Sequence, residues 1–305
     1  MKSAHKTVLL NETIEGLNLS KTKEAVVADA TFGGGGHSKE ILEKYPNVKI
    51  IALDQDKSAF EKARDKFKGL EKRISFLNIN FKDLELGNSI DAIIFDLGLS
   101  SDQLENSGRG FSFMKDEPLL MTMKENPQAE DLTASDVVNT WSEKSLADII
   151  YGYGEERYSR RIAKDIVEAR KKAKIETTFD LVKIIERVAP KGHRTNRRGK
   201  IHPATKTFQA LRIAVNDELG ALKDGLEKGF NRLKIGGRMS VISFHSLEDR
   251  ITKKFYSVKG GSASGGKENR VANIITKKPI KASEEELKNN PRSRSAKLRI
   301  LEKIK

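Results

Sequence analysis

Short apolar runs alternate with amphipathic stretches through the first hundred residues of the chain. Runs rich in β-branched residues recur at 25–30, 48–54, 74–80 and 90–96. Such runs are typical of strands buried on both faces of a parallel sheet. Residues 38–45 and 58–67 carry apolar side chains at helical spacing, and Ser38 is a candidate N-cap. The pattern predicts an α/β sheet with right-handed crossovers.

The alternation stops after Ser101, where a stretch rich in glycine, proline and polar residues begins. Helical periodicity then takes over, and Thr177 to Asp180 form a capping signal before a second apolar stripe. We interpret residues 104–205 as a helical insertion. Residues 1–103 and 206–305 then form one discontinuous domain.

The end of the chain returns to the α/β pattern. One long helix is predicted over 205–233, with Gly236 and Gly237 as its stop signal, followed by a strand over 238–246. Two strand-like runs come last, at 271–280 and 295–304, and the glycine-serine stretch 260–266 predicts a mobile loop. Five parallel strands followed by two strands close in sequence, one of them antiparallel, resemble the Rossmann-like class I methyltransferase sheet more than the six-stranded dehydrogenase sheet.

Composition limits the chemistry and the partners. The 305 residues include no cysteine, which excludes disulfides, thiolate metal sites and a thiol nucleophile. No window approaches the roughly 20 apolar residues of a membrane span, so we expect a cytoplasmic protein with no membrane partner. The formal net charge of +14 favours a polyanion as partner, with nucleic acid first and an acidic membrane surface second.

The positive charge is concentrated in one part of the predicted insertion. Residues 157–200 contain fifteen lysines and arginines against five acidic residues. We interpret at least half of these as ordinary solvated charges. The segment 191–200 has basic residues without apolar anchors, which is typical of a phosphate-contacting loop. Its candidate RNA-binding residues are Arg194, Arg197 and Arg198.

The glycine run Gly33–Gly36 follows the first predicted strand and precedes a helix, so it is either a ligand cradle or only a tight turn. Asp54 ends the second strand, where an acidic residue can bind ribose hydroxyls. Phe81 follows the third strand and can lie against a purine, and Asp96 ends the fourth. Because the carboxyl ends of parallel strands line one crevice, these positions together favour the cradle. Carboxylates suit a sulfonium cation better than a pyrophosphate, which favours a methyl donor over NAD.

Several long motifs carry a family resemblance. They are TFGGGGHS, DLGLSSDQL, GRGFSF, HPATKTFQALRIAVNDEL, SFHSLEDR and NPRSRSAKLR. With them the chain resembles the bacterial RsmH (MraW) family over about residues 6–304. The resemblance implies an S-adenosylmethionine-dependent enzyme that methylates N4 of a cytidine in the decoding centre of 16S ribosomal RNA, within the small subunit or its precursor, without a metal. It also implies that the insertion helps to dock RNA.

The resemblance assigns the cofactor contacts residue by residue. They are Gly35, Gly36, His37, Asp54, Phe81, Asp96 and Gln103. Thr31 departs from the general methyltransferase pattern, because many of these enzymes have the first glycine of the loop there.

The residue that accepts from the target amine is left open. Many amino-methyltransferases have an Asp/Asn/Ser-Pro-Pro-aromatic motif after the fourth strand, whereas this chain has Asp96-Leu-Gly-Leu. The catalytic candidates are Asp96, Ser100, Ser101 and His245, and for His245 a structural role is an equal alternative. Rival functions are methylation of another RNA base, of DNA or of a small molecule, and a non-enzymatic RNA-binding or assembly factor.

Overall fold

The computed structural model describes residues 6–87, 89–188, 202–261 and 270–305. The chain divides into two compact units, one of Met1–Leu99 with Leu219–Lys305 and one of Ser100–Glu218. We call them the sheet unit and the helical unit. The insertion boundaries predicted at 104 and 205 lie inside the helical unit. Most of the stretch 260–266 lies outside the described residues.

The sheet unit contains all seven described strands. In chain order its elements are α1 (Leu10–Gly16), β1 (Ala25–Asp29), α2 (Gly36–Lys44), β2 (Val48–Leu53), α3 (Lys57–Ala63), β3 (Ile74–Leu77) and β4 (Ile90–Asp96). Those of its second segment are α10 (Glu218–Arg232), β5 (Leu233–Ser243), α11 (Ser246–Lys259), β6 (Ala272–Ile274), α12 (Glu284–Asn289) and β7 (Lys297–Lys303).

The strands form one sheet in the order β3-β2-β1-β4-β5-β7-β6. β1 to β5 are parallel, and β7 is antiparallel to both β5 and β6. The predicted fold class is therefore confirmed. The order reverses between β1 and β4, and in open parallel sheets ligands bind beyond the carboxyl ends of the strands at such a reversal.

Apolar side chains cover both faces of the sheet, as continuous apolar strands require. One core cluster joins β4 and β5 to α10 through residues such as Phe95, Leu226 and Phe230. The other joins β1 and β2 to α1 and α2 through residues such as Ile14 and Ile41.

The helical unit consists of α4 (Ser101–Asn106), α5 (Ala134–Thr140), α6 (Glu143–Gly152), α7 (Ser159–Arg170), α8 (Thr178–Val188) and α9 (Ala204–Asn216). The predicted cap of α8 is present, since Thr177 Oγ1 accepts from the Asp180 N–H and the Asp180 carboxylate accepts from the Thr177 N–H, both at 3.3 Å. Ile162 and Ile166, which lie four residues apart on α7, are both buried, as helical spacing of apolar residues requires.

Three local predictions are wrong. Ser38 does not cap α2, because the helix begins at Gly36 and Ser38 is buried inside its first turns. The long helix is two helices, separated by Asp217 with φ 45°. Gly236 and Gly237 do not stop α10, which ends at Arg232, because both glycines lie within β5 where its register with β4 shifts. In the described part of the chain, no helix is both long and apolar enough to cross a membrane.

Candidate active site

The glycine loop leads from the end of β1 into α2. Gly35 is the N-cap of α2 and has φ 69°, a left-handed conformation that favours glycine. A Cβ at Gly35 would also lie 2.7 Å from the Phe32 ring and 2.8 Å from the Phe67 ring. The loop therefore places the first turn of α2 beyond the carboxyl end of β1, where the helix dipole is positive.

Asp54 follows β2, and its carboxylate holds the glycine loop by a hydrogen bond. Its two carboxylate oxygens accept from the Gly33 N–H at 2.8 Å and from the Asp56 N–H at 2.9 Å. Burial raises the pKa of Asp54 to about 6, against the lowering effect of these two hydrogen bonds. The acidic residue and the glycine loop, predicted separately, are therefore in direct contact.

Asp29, at the end of β1, is a buried acid beneath the loop. It accepts from Ser38 Oγ at 2.6 Å and from the Thr31 N–H at 3.3 Å. Burial is the main reason that its pKa is raised to about 6, and the hydrogen bonds act in the opposite direction. Ser38 thus stabilises a buried carboxyl group instead of capping α2.

Asp96 ends β4 next to these acids. Its N–H donates to Thr31 Oγ1 at 2.6 Å, and its Oδ2 lies 3.7 Å from His37 Nδ1. Oδ1 is buried and has no hydrogen-bond partner among the described residues. Burial, followed by repulsion from Asp29 and Glu248, raises the pKa of Asp96 to about 8. Of the three acids, Asp96 is the one with an oxygen that the fold leaves unused.

Phe81 follows β3 as the first residue of a short 3-10 helix, which is capped by Asn80. Its half-buried ring meets the ring of Phe95 edge-on, with centroids 5.6 Å apart. Phe95 immediately precedes Asp96. The structure thus brings Phe81 to the carboxyl edge of the sheet, with one part of its ring accessible.

His245 is the N-cap of α11. Its Nδ1 accepts from the Glu248 N–H at 3.5 Å, and its Nε2 lies 3.2 Å from Glu248 Oε1. Glu248 Oε2 in turn accepts from the Phe244 and His245 N–H groups at 2.8 and 3.2 Å. This reciprocal capping box gives His245 Nδ1 a structural role, whereas Nε2 is buried and has no hydrogen-bond partner among the described residues.

The remaining predicted residues belong to the helical unit. Ser100 caps α4 and Gln103 completes the capping box: Ser100 Oγ accepts from the Gln103 N–H at 3.1 Å, and Gln103 Oε1 accepts from the Ser100 N–H at 3.0 Å. Ser101 is the first residue of α4, and its side chain is not described. Arg194, Arg197 and Arg198 lie outside the described residues.

Sequence reasoning missed the groups that support the acids. Ser38 holds Asp29, Thr31 joins the β1 loop to Asp96, and Glu248 adds negative charge near Asp96. Thr31 carried a signal, because it replaces a glycine of the general pattern. The sequence indicated Ser38 only as a helix N-cap, and it gave no signal for Glu248.

The acidic cluster fits the cation of S-adenosylmethionine. Among the described residues, no lysine or arginine pairs with Asp29, Asp54 or Asp96, and all three pKa values are raised. A cationic ligand would relieve this repulsion, whereas a pyrophosphate would add to it. Asp96 Oδ1, which has no hydrogen-bond partner among the described residues, suits a cationic ligand. The aromatic ring of Phe81 suits the purine of a sulfonium nucleoside.

The class of protein follows from the sheet and its acidic edge. Strand order 3-2-1-4-5-7-6 with a reversed β7 is the sheet of class I methyltransferases. The profile of the MraW methylase family matches residues 2–304, and the chain belongs to that family. The predicted S-adenosylmethionine-dependent methyltransferase is thereby confirmed.

Curated relatives match along the whole chain. The ribosomal RNA small subunit methyltransferase H of Acaryochloris marina is 48% identical over 301 residues, covering 98% of this chain and 94% of its own. The protein of the same name from Clostridium botulinum is 47% identical over 320 residues and is covered, like this chain, to 100%. The Lactobacillus johnsonii protein of that name is 44% identical over 323 residues, again with both chains fully covered.

Proposed function

We propose that this chain transfers a methyl group from S-adenosylmethionine to N4 of a cytidine in the decoding centre of 16S ribosomal RNA, in the cytoplasm. Family membership and the name shared by its curated relatives support ribosomal RNA as the substrate. The observation that carries the chemistry is the cluster of Asp29, Asp54 and Asp96 without a basic partner in the described structure.

The cofactor contacts proposed in the sheet unit are Gly35, Gly36, His37, Asp54, Phe81 and Asp96. Asp54 would bind the ribose hydroxyls, and Phe81 would lie against the adenine. Gln103 of the helical unit is the remaining proposed contact. When bound, S-adenosylmethionine supplies an electrophilic methyl group.

Asp96 is the proposed acceptor for the hydrogens of the target amine. The lone pair of an exocyclic cytosine amine is delocalised into the ring, so an acceptor that bonds the amine hydrogens favours the pyramidal geometry needed for attack. Ser100 and His245 are the other catalytic candidates. Ser100 Oγ and His245 Nδ1 already serve helix caps, whereas His245 Nε2 has no hydrogen-bond partner among the described residues. Asp96 Oδ1 serves no helix cap and has no hydrogen-bond partner in the described structure.

RNA recognition is proposed for the helical unit. The outer face of α7 presents Arg160, Arg161 and Lys164, all exposed, and of these Lys164 interacts electrostatically with Glu168. The opposite face of α7 is buried. Arg194, Arg197 and Arg198 are proposed to add a phosphate-contacting loop, and their joint neutralisation should weaken RNA binding and flatten its salt dependence.

The proposal is tested by supplying labelled S-adenosylmethionine and unmodified small ribosomal subunits, followed by nucleoside analysis. We expect the label in N4-methylcytidine. Label in another nucleoside would replace the substrate assignment, and binding to the subunit without any transfer would support a non-enzymatic assembly factor. A thermal shift with S-adenosylmethionine against NAD checks the cofactor separately, because a ligand of the native state raises Tm.

A further inference from the structure

Residues 6–10, which we call the N-terminal strap, run from the glycine loop to the start of α1. Val8 and Leu9 anchor the strap, because both are buried against Ile242 of β5 and Leu298 and Ile300 of β7. Leu9 has φ 50°, an uncommon left-handed conformation for a non-glycine residue, and it is the N-cap of α1. The strap therefore follows a defined path that is fixed by buried side chains.

Thr7 of the strap lies directly on the first residue of α2. Gly36 has a helical backbone, so its conformation does not require glycine. A Cβ at Gly36 would nevertheless overlap Thr7 Oγ1 and lie 3.0 Å from Thr7 Cβ. The three atoms nearest to that Cβ all belong to Thr7, so the approach of the strap is the reason for glycine at this position.

Two side chains from the other end of the sequence fix the strap. The Leu9 N–H donates to Glu286 Oε1 at 2.9 Å, and Asn290 Nδ2 donates to the Lys6 carbonyl at 3.0 Å. Glu286 is half-buried on α12, and Asn290 is buried just after that helix. The two hydrogen bonds therefore hold the backbone before and after Thr7 in the sequence.

We infer that Thr7 is a positioning residue for S-adenosylmethionine, held against the start of α2 by Glu286 and Asn290. The inference rests on the proposed function in that Gly35, Gly36 and His37 hold the cofactor. A contact with Gly36 fixes the direction in which the N–H groups of the first turn of α2 point, and a small displacement of such groups is costly for binding. The C-terminal α12 thereby acts on the cofactor loop through the strap.

A compensating pair of substitutions tests the contact. Gly36→Ala should weaken S-adenosylmethionine binding about tenfold or more, since overpacking typically costs 1–3 kcal/mol. Adding Thr7→Gly removes the overlapping atoms and should restore the affinity to that of Thr7→Gly alone. Gly35→Ala is the matched control: Thr7→Gly should not rescue it, because its Cβ would meet Phe32 and Phe67 and its φ is 69°. Calorimetric titration with S-adenosylmethionine measures the parent protein and the five variants.

The outcomes separate the inference from the proposed function. If Gly36→Ala weakens binding and Thr7→Gly fails to restore it, the role of Thr7 is overturned while the cofactor site stands. If neither Gly35→Ala nor Gly36→Ala changes the affinity, the glycine loop does not hold the cofactor and the proposed site fails as well.

A second set of variants tests the clamp without changing the loop. Glu286→Ala should raise KM for S-adenosylmethionine about threefold to tenfold with little change in kcat, as expected for a lost hydrogen bond of about 1 kcal/mol. Glu286→Gln keeps the Oε1 acceptor and should restore KM. Glu285→Ala, which removes an exposed charge from the same helix, is the control. An equal rise in KM for Glu285→Ala, or no rescue by Glu286→Gln, would overturn the clamp.

Discussion

The two units place charge in opposite ways. The sheet unit collects buried acids at the ends of β1, β2 and β4, and each acid is held by specific donors or, at Asp96, leaves one oxygen unused. The helical unit presents the bases of α7 at exposed positions. A small cation is bound by a few aligned groups at a dehydrated site, whereas a polyanion is bound by many screened charges. Single substitutions should therefore have large effects at the first region and small, salt-dependent effects at the second.

The largest effect is expected at Asp96. Asp96→Asn should lower kcat about 10²–10³-fold, in the range for loss of a positioned proton acceptor. Asp83→Asn, which neutralises an exposed carboxylate in the same unit, should leave kcat unchanged. Methyl transfer to small subunits measures both. Full turnover together with full cofactor affinity in Asp96→Asn would show that the crevice is misplaced.

The second effect concerns the pH dependence of the acidic cluster. Asp96 must be ionised to attract a sulfonium cation, and its pKa is about 8. The affinity for S-adenosylmethionine should therefore increase about tenfold from pH 7 to pH 9, since one pKa unit corresponds to a factor of ten. S-adenosylhomocysteine has no sulfonium charge and should depend less on pH. Asp96→Asn should remove the difference between the two ligands; if it persists, another group causes it.

The same group makes stability fall as pH rises. Between the unfolded pKa near 3.9 and the folded value of about 8, the native protein binds more protons than the unfolded chain, so ionisation of Asp96 destabilises the fold. Without ligand, the free energy of unfolding should decline from pH 7 to pH 9 in the parent protein and stay nearly level in Asp96→Asn, because Asp29 and Asp54 are already ionised there. At lower pH all three acids contribute, so a shallower fall, caused by Asp29 and Asp54, should remain in Asp96→Asn. Denaturant unfolding at a series of pH values measures the free energy of unfolding of both proteins.

A smaller effect is expected from Ser38. Ser38→Ala removes the 2.6 Å hydrogen bond to the buried Asp29 and should lower the free energy of unfolding by about 1–3 kcal/mol. Ser75→Ala, at an exposed position of β3, is the matched control and should change stability little. Equal values for the two variants would mean that the Asp29 carboxyl does not depend on Ser38.

The smallest single effects are expected on α7. Arg160→Gln, Arg161→Gln and Lys164→Gln should each weaken RNA binding only about twofold to threefold, and the triple variant should reduce the salt slope by up to about three. Lys21→Gln, Lys49→Gln and Lys72→Gln together make the same charge change on exposed positions of the sheet unit. If this control reduces the slope equally, net charge and not the α7 face is responsible.

Much of the sheet edge was predictable because the strand pattern is strictly local. Asp54 and Asp96 directly follow buried apolar runs, and parallel strands bring their carboxyl ends to one edge whatever the details of packing. The breaks in the helices were not predictable in this way. Nothing in the local sequence distinguishes Asp217 from a helical residue. Gly236 and Gly237 resemble a signal that ends a helix, although they belong to β5.

The roles of side chains depended more strongly on distant contacts. Ser38 has the composition of an N-cap, but the helix begins earlier and the hydroxyl meets Asp29 of the preceding strand. For His245 the sequence left an active-site role and a structural role equal; the capping box with Glu248 supplies a structural role for Nδ1, and the active-site role stays a prediction. The contact of Thr7 with Gly36 and its clamp by Glu286 have no sequence signal, because 277 residues separate Leu9 from Glu286.

The sequence alone determined the class of sheet, the position of the glycine loop and the acids at the strand ends, because burial patterns and chain order suffice for these. The tertiary structure decided which acid keeps an unused oxygen, which hydroxyl supports a buried carboxyl and why Gly36 is a glycine. These depend on distances of a few ångströms between segments far apart in the chain, and only the packed core brings such segments together.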